Sequence, residues 1–178
     1  MSKITTVCQN HKHGRILWSM NFPVKATVAP KPRTKESRQM AILFAGILVI
    51  FAVTQLFTFD EFITIIPALE LPLGPAMTYL LAPLIVATEV FALPFLLGMS
   101  LSVGFRWLSM FCSWFVAATW LFISFWTASV QSDVETMGLL GGLANLEPGW
   151  WAVFIAIALC ILTVWTSWGL WPGKRAKK

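Results

Sequence analysis

The residue best placed for chemistry is Glu89, the only ionisable residue deep inside an apolar run. An acidic side chain at the centre of a membrane helix costs about 3 kcal/mol on insertion scales, and such residues usually face the bundle interior. The functional interpretation is a carboxylate that handles a proton, contacts a quinone or contacts a metal. The structural alternative is a protonated Glu89 that hydrogen-bonds across the bundle to Gln55, Trp114 or Thr119.

The residues around Glu89 predict which side of its helix is buried. Five positions at helical spacing fall on one stripe, and most of them are small or polar, as contacts between membrane helices require. The stripe predicts that Glu89 points into the bundle. Its members are Thr78, Ala82, Ile85, Glu89 and Ala92.

The cysteines and histidines form no recognisable site. The three cysteines, Cys8, Cys112 and Cys160, lie far apart and show no Cys-x-x-Cys spacing. Cys8 with His11 and His13 lacks a fourth ligand, so no metal site is predicted.

Rows of small residues predict close helix packing rather than chemistry. Ser109, Ser113 and Ala117 recur at i, i+4 and i+8, which lets helices approach closely. A second row has the same spacing: Ala152, Ala156 and Cys160.

Four long apolar runs must position these residues. Hydrophobic residues make up 57% of the 178 residues and charged residues 12%, which excludes an ordinary soluble domain. Each run is long enough for a membrane helix, so we expect an all-α integral membrane protein with a four-transmembrane-helix bundle. The predicted membrane domain covers 39–172, between basic cytoplasmic tails at 1–38 and 173–178. The predicted spans are about 40–57, 76–99, 107–128 and 150–171.

A short helix is expected between the first two spans, at about 59–69. Asp60 and Glu61 favour its N-terminus, apolar residues then form one face, and Pro67 is expected to stop it. This pattern predicts a helix lying in the outer interface of the membrane.

The charges predict the orientation of the chain. Of the 13 Lys and Arg, eight lie in residues 1–38, one is Arg106 and four lie in residues 174–178. The loops between spans one and two and between spans three and four carry only acidic charges. The positive-inside rule therefore places both termini in the cytoplasm. Attraction to anionic lipid explains the basic residues, and no nucleic-acid partner is predicted.

The loop before span four is rich in glycine, which predicts a tight backbone with positive φ. Together with four spans and a central Glu89, this loop resembles the DoxX/MauE-like group of small bacterial membrane proteins. Members of the MauE branch typically have Cys-Gly-Cys-Phe-Gly where this chain has Met137-Gly138-Leu139-Leu140-Gly141, followed by Gly142. In that family the loop cysteines imply thiol–disulfide exchange, which requires a thiolate, and neither Met nor Leu can supply one. The resemblance implies the scaffold without the redox pair.

The expected function is therefore a non-catalytic DoxX-like scaffold or an accessory subunit of a larger membrane complex. The expected location is the bacterial cytoplasmic membrane, with the lipid bilayer and a membrane-protein partner or a second copy as contacts. No cofactor is predicted for this reading. One alternative is a quinone- or redox-linked subunit in which Glu89 handles a proton, and a second is a small transporter.

Overall fold

The computed structural model describes residues 32–72, 74–130, 136–143 and 149–171. These residues form five helices and confirm the all-α prediction. The helices are α1 (Lys35–Phe57), α2 (Phe59–Ala68), α3 (Pro75–Leu96), α4 (Val103–Val130) and α5 (Trp150–Gly169). Helices α1, α3, α4 and α5 are each long and apolar enough to cross a membrane. Most of the predicted tail at 1–38, including Cys8, His11 and His13, lies outside the described residues.

The four long helices form a closed bundle. Helix α3 packs between α1 and α4, and α5 contacts both α4 and α1, so that each long helix has two neighbours. Five of the six small-residue positions are buried in the bundle, and the sixth, Cys160, is half-buried. The five are Ser109, Ser113, Ala117, Ala152 and Ala156. The outward sides expose large apolar side chains, which suits a lipid bilayer.

Helix α1 begins five residues before the predicted span. The Thr34 hydroxyl accepts a hydrogen bond from the Ser37 N–H at 3.1 Å, and Ser37 Oγ accepts one from the Thr34 N–H at 3.4 Å. This reciprocal cap satisfies N–H groups that the first turn leaves free. The basic residues Lys35 and Arg38, which the prediction assigned to the tail at 1–38, therefore belong to α1.

Helix α4 also begins earlier than predicted, at Val103 rather than at 107, because the charge of Arg106 does not exclude this residue from the helix. Arg106 lies in the first turn, is buried, and donates a hydrogen bond to the Leu101 carbonyl at 3.4 Å. Helix α3 ends at Leu96 rather than at 99, since Gly98 turns the chain with a φ of +68°.

The short helix α2 has the predicted acidic first turn, Asp60 and Glu61. Pro67 does not stop it but lies inside its last turn, and the helix ends one residue later. Phe62 and Ile66 are fully buried against the bundle. Helix α2 therefore covers one end of the core beside α3.

Candidate functional site

Glu89 is buried at the centre of the bundle, as its stripe predicted. Its side chain has no exposed surface, and the four other stripe residues of α3 are buried as well. The small residues of this stripe allow α3 to pack against its neighbours, so Glu89 is enclosed by protein rather than lipid.

Two side chains from different helices donate hydrogen bonds to the same oxygen of Glu89. Trp120 Nε1 on α4 lies 3.1 Å from Glu89 Oε1, and Gln55 Nε2 on α1 lies 3.4 Å from it. The site therefore joins three of the four long helices. Of the partners proposed from sequence, the structure brings in Gln55. Trp114 instead donates to Ser167 Oγ at 2.9 Å, and Thr119 is only half-buried.

The glycine-rich loop closes this site from the end that α2 covers. Gln55 Nε2 also donates to the Leu139 carbonyl at 3.2 Å, so one amide links the loop to Glu89. The Gly142 N–H donates to Thr58 Oγ1 at 2.8 Å, which fixes the far side of the loop. Met137 has no exposed surface, and its sulfur lies 4.0 Å from Ser124 Oγ.

The loop needs glycine at two positions because of its backbone and its neighbours. Gly138 has a φ of +77° and Gly141 a φ of +61°, as the sequence predicted. A Cβ on Gly138 would lie 3.1 Å from an Ile65 methyl, and one on Gly141 would overlap Thr58 Oγ1. Glycine tolerates both the positive φ and this close approach.

Two polar atoms at the centre of the site have no hydrogen-bond partner in the structure. They are Glu89 Oε2 and Gln55 Oε1, and both are buried acceptors when the carboxyl is ionised. A proton on Oε2 removes the charge and turns this atom into a donor, which lessens the cost of burying it. The arrangement can thus hold one proton and a small set of hydrogen bonds.

The described residues offer little for other chemistry. They contain no group of three His, Cys, Asp or Glu side chains that could hold a metal ion. The two loop positions where the resemblance implies thiols are occupied by Met137 and Leu139, and both side chains are buried.

Sequence reasoning missed Trp120 and the Leu139 carbonyl. Trp120 lies well inside α4, whereas tryptophan in membrane helices prefers the interface. Trp114 also lies well inside α4, so this departure does not distinguish Trp120 from it. The Leu139 carbonyl is a backbone group and left no signal in the side-chain sequence.

Comparisons with known proteins give no relative for this chain. No family model, no curated protein and no solved structure matches it. The likeness to DoxX/MauE-like proteins therefore stays a prediction.

Proposed function

We propose that this chain is a non-catalytic membrane scaffold of DoxX-like type that serves as an accessory subunit of a larger membrane complex. The observation that carries the proposal is the enclosure of Glu89, whose carboxyl has no exposed surface and is closed in by Trp120, Gln55 and the glycine-rich loop. A residue that relays protons needs neighbouring groups that exchange protons with water. A residue that holds helices together by hydrogen bonds is instead favoured by the enclosure found here.

The outer surface supports a role in assembly. Between α3 and α4 an open apolar groove of about 480 Å³ faces outward, with Leu84, Phe111 and Phe115 in its lining. A groove of this kind suits another hydrophobic element of the membrane, such as a neighbouring helix.

A quinone-linked subunit is the second candidate, and one observation favours it. Glu89 Oε2 and Gln55 Oε1 both lack a hydrogen-bond partner. Glu89 Oε2 can therefore bind and release a proton without breaking an existing hydrogen bond. In this reading Glu89 would accept one of the two protons that a bound quinol releases when an electron acceptor of the larger complex oxidises it.

The test is solubilisation of the tagged chain from its native membrane in mild detergent, followed by size analysis and mass spectrometry. We expect a stoichiometric assembly with a larger membrane protein. We also expect Glu89→Gln to leave that assembly and its turnover unchanged, since the amide keeps an oxygen acceptor for Trp120. Glu70→Gln, which removes an acid between α2 and α3, is the matched control.

Two results would overturn the proposal. A chain that migrates alone at 19.9 kDa, or only with copies of itself, is not an accessory subunit. An assembly that forms normally but loses turnover in Glu89→Gln, and not in Glu70→Gln, would establish the proton-handling alternative instead.

A further inference from the structure

A polar groove lies at the end of the bundle where α1 begins. It has a volume of about 530 Å³, and its lining includes Arg33, Lys35, Arg38, Gln39 and Ile42. Among the described residues, this lining contains three cations and no acidic side chain. We call it the α1 groove. Its chemistry suits an anion with polar oxygens.

Arg33 is held in this groove by contacts with α5. Its backbone N–H donates to the Gly169 carbonyl at 3.1 Å, and its guanidinium carbon lies 4.8 Å from the centre of the Trp168 ring. A guanidinium over an indole is attracted by the ring while its N–H groups remain available to an anion. The cation is thus positioned before any ligand arrives.

The other two cations lie on one face of α1. Lys35, Arg38, Gln39 and Ile42 follow at i, i+3, i+4 and i+7, so that they form a single stripe. The acid of this turn, Glu36, is rotated by about 100° from Lys35 and is not part of the lining. The positive end of the α1 dipole adds to the field of the three cations.

The same face continues as apolar surface along α1. Ile42 is 53% exposed, Val49 41% and Val53 57%. These residues recur at i, i+7 and i+11, so they extend the stripe away from the cations. A ligand that matches the whole face has an anionic head and a hydrocarbon tail.

We propose that the α1 groove binds an anionic phospholipid, with its phosphodiester on Arg33, Lys35 and Arg38 and an acyl chain along Ile42, Val49 and Val53. A zwitterionic phosphatidylcholine carries its own cation beside the phosphate, so it gains less from the three basic side chains. The phosphate chemistry is shared with free phosphate, but only a lipid uses the apolar part of the stripe. This inference is independent of the proposed function.

The test is native mass spectrometry of the full chain in detergent, titrated with phosphatidylglycerol or with phosphatidylcholine of the same acyl chains. We expect tighter binding of phosphatidylglycerol. The double variant Lys35→Gln/Arg38→Gln should weaken that binding roughly tenfold and leave phosphatidylcholine binding unchanged. Lys177→Gln/Lys178→Gln removes the same formal charge from the other end of the sequence and should change the binding by less than about twofold.

Three results would overturn the proposal. Equal affinity for the two lipids would show that the cations do not select a headgroup. An equal loss in both double variants would show that net charge, rather than this groove, attracts the lipid. Displacement of phosphatidylglycerol by inorganic phosphate at the same concentration would show that the apolar stripe contributes nothing and that the ligand is phosphate.

Discussion

At the scale of single residues, the carboxyl of Glu89 works as a shared acceptor for donors on two other helices. Its replacement by glutamine keeps an acceptor for Trp120 and supplies N–H groups to a site where Gln55 Oε1 lacks a donor. We therefore expect Glu89→Gln to unfold in detergent at or above the wild-type temperature. Glu89→Leu leaves the Trp120 N–H without its acceptor and leaves Gln55 Nε2 with the Leu139 carbonyl alone, so it should lower the free energy of unfolding by about 1–3 kcal/mol.

The matched control for this pair is Thr88→Val on the same helix. The Thr88 hydroxyl donates only to carbonyls of its own helix, at 2.8 Å and 2.9 Å. Its loss should change the free energy of unfolding by less than about 0.5 kcal/mol. Thermal unfolding of the three variants side by side checks both values. If Glu89→Leu proved as stable as Thr88→Val, the hydrogen bonds at Glu89 would not be holding the helices together.

The position of Glu89 could be predicted from the sequence, because small and polar residues recur on its face of α3. Its closest hydrogen-bond partner, Trp120, could not be predicted from the sequence. In α4 apolar residues surround the helix on every side, so the sequence does not show whether Trp114, Thr119 or Trp120 faces α3. Trp120 is fully buried and Trp114 is 41% exposed. The difference depends on how α4 is rotated in the bundle, which packing decides.

At the scale of the elements, a hydroxyl of α4 binds the backbone of α3 beside a proline. Pro94 lacks an N–H, and its ring crowds the carbonyl four residues earlier. Ser109 Oγ accepts from the Phe95 N–H at 3.0 Å and donates to the Phe91 carbonyl at 2.5 Å. The hydroxyl thus satisfies both backbone groups in a region without water.

Ser109→Ala should therefore lower the free energy of unfolding by about 1–3 kcal/mol. Ser113→Ala is the matched control, because Ser113 is equally buried but donates to Met110 of its own helix at 2.7 Å. We expect it to cost less than about 0.5 kcal/mol. In a Pro94→Ala background the cost of Ser109→Ala should shrink, which a double-mutant cycle measures. An equal cost in both backgrounds would contradict the link to the proline.

The glycine-rich loop is the second element whose role can be tested. Gly141→Ala places a Cβ at positive φ against Thr58 and within 3.0 Å of the Thr54 carbonyl. We expect it to lower the free energy of unfolding by about 1–3 kcal/mol. Gly46→Ala on α1 is the control, since nothing lies within 4 Å of the added Cβ and alanine favours the helix. If Gly141→Ala were as stable as Gly46→Ala, the loop would not be fixed over the site.

The tight backbone of this loop could be predicted from its glycines, but the residues that the loop contacts could not. Its hydrogen bonds join Leu139 to Gln55 of α1 and Gly142 to Thr58, the residue between α1 and α2, and each pair is 84 residues apart. Nothing in the local sequence identifies such distant partners. The resemblance pointed to the loop as a feature of interest, whereas the structure shows that the loop closes the bundle over Gln55 and Glu89.

At the scale of the whole molecule, the number of spans follows from composition and length alone. Each span needs about 20 apolar residues, and four helices meet that requirement. Their closure into a bundle depends on contacts such as that of Ser37 with Gly169, which brings α1 against α5. The orientation of this bundle in the membrane rests on a separate property, the distribution of charge along the chain.

Both termini should lie on the cytoplasmic side, because 12 of the 13 Lys and Arg lie in residues 1–38 and 174–178. Placing them outside would move these cations against the positive-inside rule. Cysteine labelling in intact bacterial cells with a membrane-impermeant maleimide measures the orientation. The native Cys8 should react only after permeabilisation, and Asn145→Cys should react before it. A Cys8→Ser variant, which keeps only Cys112 and Cys160, both half-buried within helices, provides the background. Labelling of Cys8 before permeabilisation would show that the topology is the reverse of the predicted one and that the α1 groove lies at the outer surface.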